Sequence, residues 1–247
     1  MPQSRRRFSW RLLVPALAVT LAACSHPLTV DDIVARHVAA RGGADKLHAL
    51  QSMRATGTVD TGGGKVGRIV REIKRPGRIR LDFTYQGMTG VYAHDGEKGW
   101  QVAPLQGKFD PEPLPAETAA AAVDQLDIEG PLVDWRAKGH QVELAGQELI
   151  GGKQAYKLKV TLKGGAIRTD YLDPDTFLLL RSDVARPIRG HMVDLATTFA
   201  DYKAVDGIQF PHSIVSQAKN RPQKVVITVE KIELNPEIDD ARFRMPG

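Results

Sequence analysis

Apolar and polar residues alternate along most of the chain after Met53, which is the pattern of half-buried β-strands. The segment 78–85 shows it most clearly: one face would carry Ile79, Leu81, Phe83 and Tyr85, and the other Arg78, Arg80, Asp82 and Thr84. A later segment repeats the pattern, with Tyr156, Leu158, Val160 and Leu162 opposite Lys157, Lys159 and Thr161. Each strand is therefore predicted to have one apolar face and one wet face.

Short turns separate these segments at intervals that favour an antiparallel meander over β-α-β units. Predicted strands cover residues 54–60, 65–74, 78–85, 88–93, 98–103, 140–145, 154–162, 166–172, 177–184, 191–203, 208–219 and 224–234. The pattern predicts a mainly β (α+β) fold with eleven or twelve strands and two or three helices.

Helical signals are confined to two regions. Thr29 is a good N-cap, Asp31 and Asp32 would occupy the first turn, and Gly42-Gly43 would end the helix, with a second short helix over 44–50. Four prolines between 104 and 115 are expected to break the sheet, and the alanine-rich segment 116–126 is predicted to be helical. The sequence therefore predicts that the sheet is interrupted over 104–115 and that a helix follows.

The first 24 residues have the form of an export signal. Arg5, Arg6, Arg7 and Arg11 precede a short apolar run that is too short to span a bilayer. The run ends in Leu21-Ala22-Ala23-Cys24, which resembles the lipobox of bacterial lipoproteins. This predicts a signal peptide over 1–23, a tether over 24–28 with Cys24 as the lipidated first residue, and one domain over 29–247. The alternative is an ordinary secretory signal. The arginines are also compatible with twin-arginine export.

Charge and cysteine content exclude several classes of protein. The chain has 34 Lys and Arg against 29 Asp and Glu, but four of the arginines lie in the predicted signal peptide. The remaining chain is nearly neutral, so no nucleic-acid partner is predicted. The single cysteine, Cys24, excludes an internal disulfide.

The sequence lacks the common catalytic and metal-binding motifs. Gly62-Gly63-Gly64-Lys65 lacks the GK[ST] of a P-loop, and no HExxH or GxSxG sequence occurs. Asp170, Asp173 and Asp175 flank a Pro and fit a β-turn better than a calcium loop. We therefore predict no enzyme activity, no cofactor and no metal.

Four segments in order resemble the outer-membrane lipoprotein-sorting proteins, the LolA/LolB-like carriers. They are Gly42-Gly43-Ala44-Asp45-Lys46-Leu47 with the strand Met53-Arg54-Ala55-Thr56-Gly57, Asp95-Gly96-Glu97-Lys98-Gly99-Trp100-Gln101, Tyr171-Leu172-Asp173-Pro174-Asp175-Thr176-Phe177-Leu178-Leu179, and Tyr202-Lys203-Ala204-Val205-Asp206-Gly207-Ile208-Gln209-Phe210-Pro211. The resemblance implies an unclosed antiparallel β half-barrel of about eleven strands, with helices over a concave apolar face that receives acyl chains. Residues 104–130 would then supply the helical lid of that face.

The resemblance also implies a site and a function. The expected cavity residues are Ile79, Leu81, Phe83, Tyr85, Tyr156, Leu158 and Val160. The expected function is non-enzymatic binding or transfer of an acyl lipid or lipoprotein by a monomer. The membrane would be contacted through the anchor at Cys24. Ser25 after the cysteine, in place of Asp, favours the outer membrane facing the periplasm.

Two other functions remain open from the sequence. The first is a structural or sensory module of the cell envelope, with its core filled by its own side chains. The second is an envelope hydrolase whose site the sequence does not reveal.

Overall fold

A computed structural model describes residues 27–115, 118–119, 126–188 and 191–247, with backbone alone for 186–188. The predicted signal peptide and Cys24 lie outside the described residues. Most of the predicted helix 116–126 also lies outside them, although Thr118 and Ala119 are helical. Among the described residues, no helix has the length and apolar character needed to span a membrane.

Two helices open the described chain, as the capping signals predicted. Helix α1 spans Val30–Ala40 and begins with a capping box: the Asp32 N–H donates to Thr29 Oγ1 at 3.2 Å, and the Thr29 N–H donates to Asp32 Oδ2 at 2.9 Å. Arg41 caps the helix before Gly42 turns the chain, and α2 follows over Ala44–His48.

Thirteen antiparallel strands form one unclosed sheet, in the order β6-β5-β4-β3-β2-β1-β13-β12-β11-β10-β9-β8-β7. The strands are β1 Ser52–Asp60, β2 Val66–Lys74, β3 Arg78–Tyr85, β4 Met88–His94, β5 Gly99–Ala103, β6 Lys108–Pro113, β7 Gln141–Ile150, β8 Lys153–Thr161, β9 Ile167–Leu172, β10 Leu179–Ile188, β11 His191–Val205, β12 Ile208–Ala218 and β13 Lys224–Leu234. The mainly β, antiparallel prediction is confirmed, but eleven or twelve strands was too low.

The missed strand is β6, which lies inside the predicted lid 104–130. The prolines were expected to break the sheet there, and instead residues 108–113 pair with β5. Pro111 and Pro113 are tolerated because β6 is an edge strand. It has a neighbouring strand on one side alone, so no strand on the other side needs the N–H groups that the prolines lack. The predicted lid therefore begins as sheet.

The two helices α1 and α2 and the segment after residue 126 pack on one face of the sheet. We call this face the inner face. A first apolar cluster joins Leu47 and Leu50 to side chains of β1, β2, β3 and β12, namely Met53, Ile73, Ile79, Ile208 and Phe210, together with Ile128 and Val133. A second cluster joins Ile33 and Val34 of α1 to Leu132, Val142, Leu158, Val160 and Leu172. The two clusters fix α1 and α2 over the inner face.

The opposite, outer face of β2–β5 is covered by the C-terminal segment. Phe243 is fully buried there, and Trp100 Nε1 donates to its carbonyl oxygen at 2.8 Å. The buried Glu72 carboxylate accepts from Arg54 at 2.8 Å and from Arg242 at 2.7 Å. A buried carboxylate with two guanidinium partners is satisfied, which ties this segment to the sheet.

Candidate functional site

The strand register identifies which residues share the inner face with the helices. Met53 pairs with Ile73, and Ile73 pairs with Ile79, in a row that packs against α2. Because strand side chains alternate between faces, residues two, four and six positions further along these strands also point inward. On β3 these residues are Leu81, Phe83 and Tyr85.

The same face continues across β13, β12 and β11. Gly57 on β1 pairs with Val229, Val59 pairs with Ile227, Ile227 pairs with Ile214, and Ile214 pairs with Phe199. We call the resulting half-buried set the inner strip: Leu81, Phe83, Tyr85, Phe199, Ile214, Ile227 and Val229. Neither apolar cluster of the described residues includes these side chains. The strip is therefore apolar, inward-facing and only partly covered by the described chain.

Glycine shapes the strip at one position. A Cβ placed on Gly67 of β2 would lie 2.3 Å from Phe83 Cε2, because the Phe83 ring leans over β2. Phe83 pairs on its other side with Gly90 of β4. Gly67 therefore leaves room for an aromatic ring with which a side chain at position 67 would collide.

The seven predicted cavity residues divide into two groups. Leu81, Phe83 and Tyr85 lie together on the inner strip. The others pack more deeply: Ile79 is buried in the first cluster, Leu158 and Val160 are buried in the second, and Tyr156 stacks on Phe177 with ring centroids 5.7 Å apart. Seven strands lie between β3 and β8 in the sheet order, so the structure does not place the predicted residues of β3 side by side with Tyr156, Leu158 and Val160 of β8.

Four strip residues were not among the predicted set: Phe199, Ile214, Ile227 and Val229. The alternation of Ile227 and Val229 with polar Thr228 and Glu230 marks an inward face in β13. That signal was available in the sequence. The pairing of β13 with β1, which places it beside β3, is a contact between distant segments and was not.

Charged groups also occur on the inner face. Arg71 of β2 pairs with Leu81 on one side and Ala55 on the other, and burial lowers the pKa of its guanidinium. On β9, the buried Asp170 accepts from Arg168 Nε at 2.9 Å. This carboxylate is engaged by a neighbouring guanidinium within the fold.

The buried polar groups of α1 and β11 also have structural partners. His37 Nδ1 lies 2.8 Å from the carbonyl oxygen of Phe177, and burial lowers the pKa of His37 to about 4. The Tyr202 hydroxyl donates to the Leu179 carbonyl at 2.8 Å, and burial raises the pKa of Tyr202. His37 is therefore neutral at pH 7 and holds α1 against the turn before β10.

Asp173 and Asp175 form a turn, as expected, whereas Asp170 lies in β9. The Asp173 carboxylate accepts from the N–H groups of Asp175 and Thr176 at 2.8 and 3.0 Å, and from Lys153 Nζ at 2.7 Å. Within the described residues, no group of three or more His, Cys, Asp or Glu is arranged to hold a metal ion.

Solved structures share this fold, although no family model and no curated protein matches the sequence. A LolA superfamily protein from Nitrosomonas europaea matches with a TM-score of 0.59 at 12% identity, over 88% of this chain and 98% of that chain. A DUF1329 family protein from Desulfovibrio piger matches with a TM-score of 0.58 at 15% identity, over 87% and 97%.

A third solved structure is a domain from Vibrio parahaemolyticus described as an outer membrane lipoprotein-sorting protein. It matches with a TM-score of 0.55 at 13% identity, over 86% of this chain and 94% of that chain. At these identities the likeness is one of fold. It confirms the LolA-like fold that the sequence resemblance implied.

Proposed function

We propose that the chain is a non-enzymatic envelope lipoprotein that binds an acyl chain of a lipid or lipoprotein on the inner strip. The observation that carries this proposal is the half-buried state of the strip on a face where other apolar side chains are packed. Half-buried isoleucine, valine and phenylalanine side chains offer an acyl chain an apolar surface partly removed from water. Each methylene buried contributes about 0.8 kcal/mol.

The depth of burial separates binding residues from core residues. Leu158 and Val160 are fully buried in a cluster with α1, so a ligand would reach them only if α1 moved. Leu81 and Phe83 keep part of their surface accessible. The proposed site therefore centres on β3 and β11–β13.

The chemistry of the inner face supports binding over catalysis. The buried Asp170 is engaged by Arg168, and His37 is engaged by the Phe177 carbonyl and is neutral at pH 7. A general base needs a basic site that reaches a substrate. These groups serve packing instead.

The LolA-like fold supports the same class of function, since one neighbour's name refers to outer membrane lipoprotein sorting. For this chain we propose lipid anchoring through Cys24, residence in the outer membrane facing the periplasm, and action as a monomer. The helical lid remains a proposal for the part of 104–130 that follows β6.

Native mass spectrometry of the chain purified from cell envelopes tests the function. We expect the native mass to exceed that of the protein alone, and the bound molecule released on activation to have the mass of an acyl lipid. The matched variant Phe83→Ala should lose most of this mass, whereas Leu149→Ala, an exposed position on β7, should retain it. If the chain carries no ligand and does not bind added acyl probes, the result favours a protein-interaction module. Turnover of an ester substrate would favour a hydrolase.

A further inference from the structure

One end of the sheet differs in composition from the other. At this end β1 runs into β2, and the antiparallel order places four further turns beside that turn. We call these turns and the strand residues next to them the rim. The described rim turns are 61–65, 86–87, 104–107, 162–166 and 219–223.

Exposed apolar side chains concentrate on the rim. Of nine large apolar residues exposed in the described chain, six lie in these turns or within the first two residues of a strand that starts at this end of the sheet. They are Val66, Met88, Leu105, Phe109, Ile167 and Met192. Phe109 and Met192 are each 69% exposed. Such a concentration of exposed apolar side chains on a soluble surface indicates an interaction site.

The charges within the described turns of the rim are of one sign, while the adjoining strand residue Asp60 accepts from the Gly62 N–H of the first turn. The described turns carry the basic residues Lys65, Lys163, Lys219 and Arg221, and they contain no carboxylate. The turns at the opposite end carry five carboxylates, those of Asp95, Glu97, Asp173, Asp175 and Asp206, against Arg75 and Lys98. The molecule is therefore polarised along its strands, with the basic end also the apolar one.

The beginning of α1 lies toward the rim. Asp31 in its first turn pairs with Arg136. The carbonyl of the preceding residue, Trp135, accepts from the His140 N–H. His140 Nδ1 in turn accepts from the N–H of Lys163, a rim residue. The other end of α1 lies at the opposite side of the sheet, where Gln209 N–H donates to the Arg41 carbonyl at 2.9 Å.

This placement bears on the predicted anchor. Cys24 precedes Pro27, the first described residue, by three residues, which reach about 10 Å when extended. An acyl group on Cys24 would therefore be attached within about 10 Å of Pro27, which leads into the rim end of α1.

We propose that the rim is a membrane-docking surface for a bilayer with anionic headgroups. Phe109, Leu105, Met88 and Met192 enter the headgroup boundary, and the lysines and Arg221 contact lipid phosphates. Interfacial binding takes this combination of apolar insertion and basic attraction. Docking does not require the acyl-binding function of the inner strip, which lies on a face of the sheet and not at its end.

The test uses the full chain as processed by the cell, reconstituted into phosphatidylcholine vesicles containing phosphatidylglycerol. An environment-sensitive fluorophore is attached at Phe109→Cys or, as a matched control, at Leu149→Cys. Leu149 is 63% exposed but lies on β7 beside the opposite end. Chain without an added cysteine gives the labelling background at Cys24. Nitroxide-labelled lipids should quench the probe at 109 strongly and leave the probe at 149 unchanged. Equal quenching at the two positions would overturn the proposal.

Variants that remove basic charge distinguish docking of the rim from tethering by the lipid anchor alone. The variant Lys65→Gln with Arg221→Gln should weaken the rim contact about 25-fold, at about fivefold for each basic residue removed. Vesicles without phosphatidylglycerol should have a similar effect. The matched variant Lys98→Gln with Lys203→Gln removes the same charge at the opposite end and should leave quenching unchanged. Quenching that is insensitive to the rim charges and to the lipid would mean that a tether alone holds the chain, and would refute docking.

Discussion

The ring of Phe83 lies over Gly67 on the neighbouring strand, so that a Cβ at position 67 would come within 2.3 Å of Phe83 Cε2. The same Cβ would lie 2.6 Å from the Thr84 carbonyl oxygen. A flexible ring can turn away, but a backbone oxygen in a paired strand cannot. This glycine therefore determines how closely β2 and β3 pack at the inner strip.

Gly67→Ala is expected to lower the free energy of unfolding by about 1–3 kcal/mol, because the added methyl overpacks the β2–β3 contact. Urea denaturation followed by circular dichroism measures the change. Gly164→Ala is the matched control, since its Cβ would meet nothing within 4 Å and it should stay within about 0.5 kcal/mol of wild type. A loss of equal size in both variants would contradict this reading of Gly67.

His37 should make stability depend on pH. Burial lowers its pKa to about 4 in the folded state, against 6.5 for the unperturbed side chain. The unfolded chain therefore takes up the proton first as the pH falls, and stability decreases with falling pH through this window. Between pH 7 and pH 5 the loss should be about 2 kcal/mol.

The variant His37→Gln isolates this effect, because glutamine retains an N–H donor and does not titrate. Its free energy of unfolding should change little between pH 7 and pH 5, where wild type loses stability. Chemical denaturation at several pH values gives both curves. If the two curves had the same slope, His37 would not be the titrating group.

Cys24→Ser should abolish lipidation, because the thiolate is the nucleophile that accepts the diacylglycerol. Cells grown with labelled fatty acid should incorporate the label into the wild-type chain and not into the variant. Equal incorporation into both chains would show that Cys24 is not the site of lipidation.

Much of the fold can be predicted from the sequence, because helix caps and strand alternation are properties of short segments. The capping residues Thr29 and Asp32 predicted α1, and the alternation of Ile79, Leu81 and Phe83 predicted β3. β6 was missed because prolines normally end strands, and only its position at the sheet edge makes Pro111 acceptable. Edge position follows from the topology and is not a local property.

The candidate site was only partly predictable for the same reason. Alternation assigned Leu81 and Leu158 to inward faces alike. The structure places Leu158 under α1 and leaves Leu81 half-buried, a difference that depends on where the helices pack. Phe199 and Ile227 join the strip through pairings between segments far apart in the chain, which no periodicity specifies.

The proposed acyl-binding site predicts different outcomes for two leucine substitutions. Leu158→Glu places a carboxylate in a fully buried cluster, where burying a charge costs several kcal/mol, and the domain should unfold. Leu81→Glu places the same carboxylate on the half-buried strip, where water can reach it once the ligand is absent. That variant should fold, with a normal far-UV spectrum and cooperative melting.

Binding of a fluorescent fatty acid to folded Leu81→Glu is the most direct test of the central claim. We expect wild type and the control Thr84→Glu, on the outer face of the same strand, to bind the probe, and Leu81→Glu to lose at least tenfold in affinity. If Leu81→Glu folds and binds the probe as wild type does, the inner strip is not the acyl-binding site.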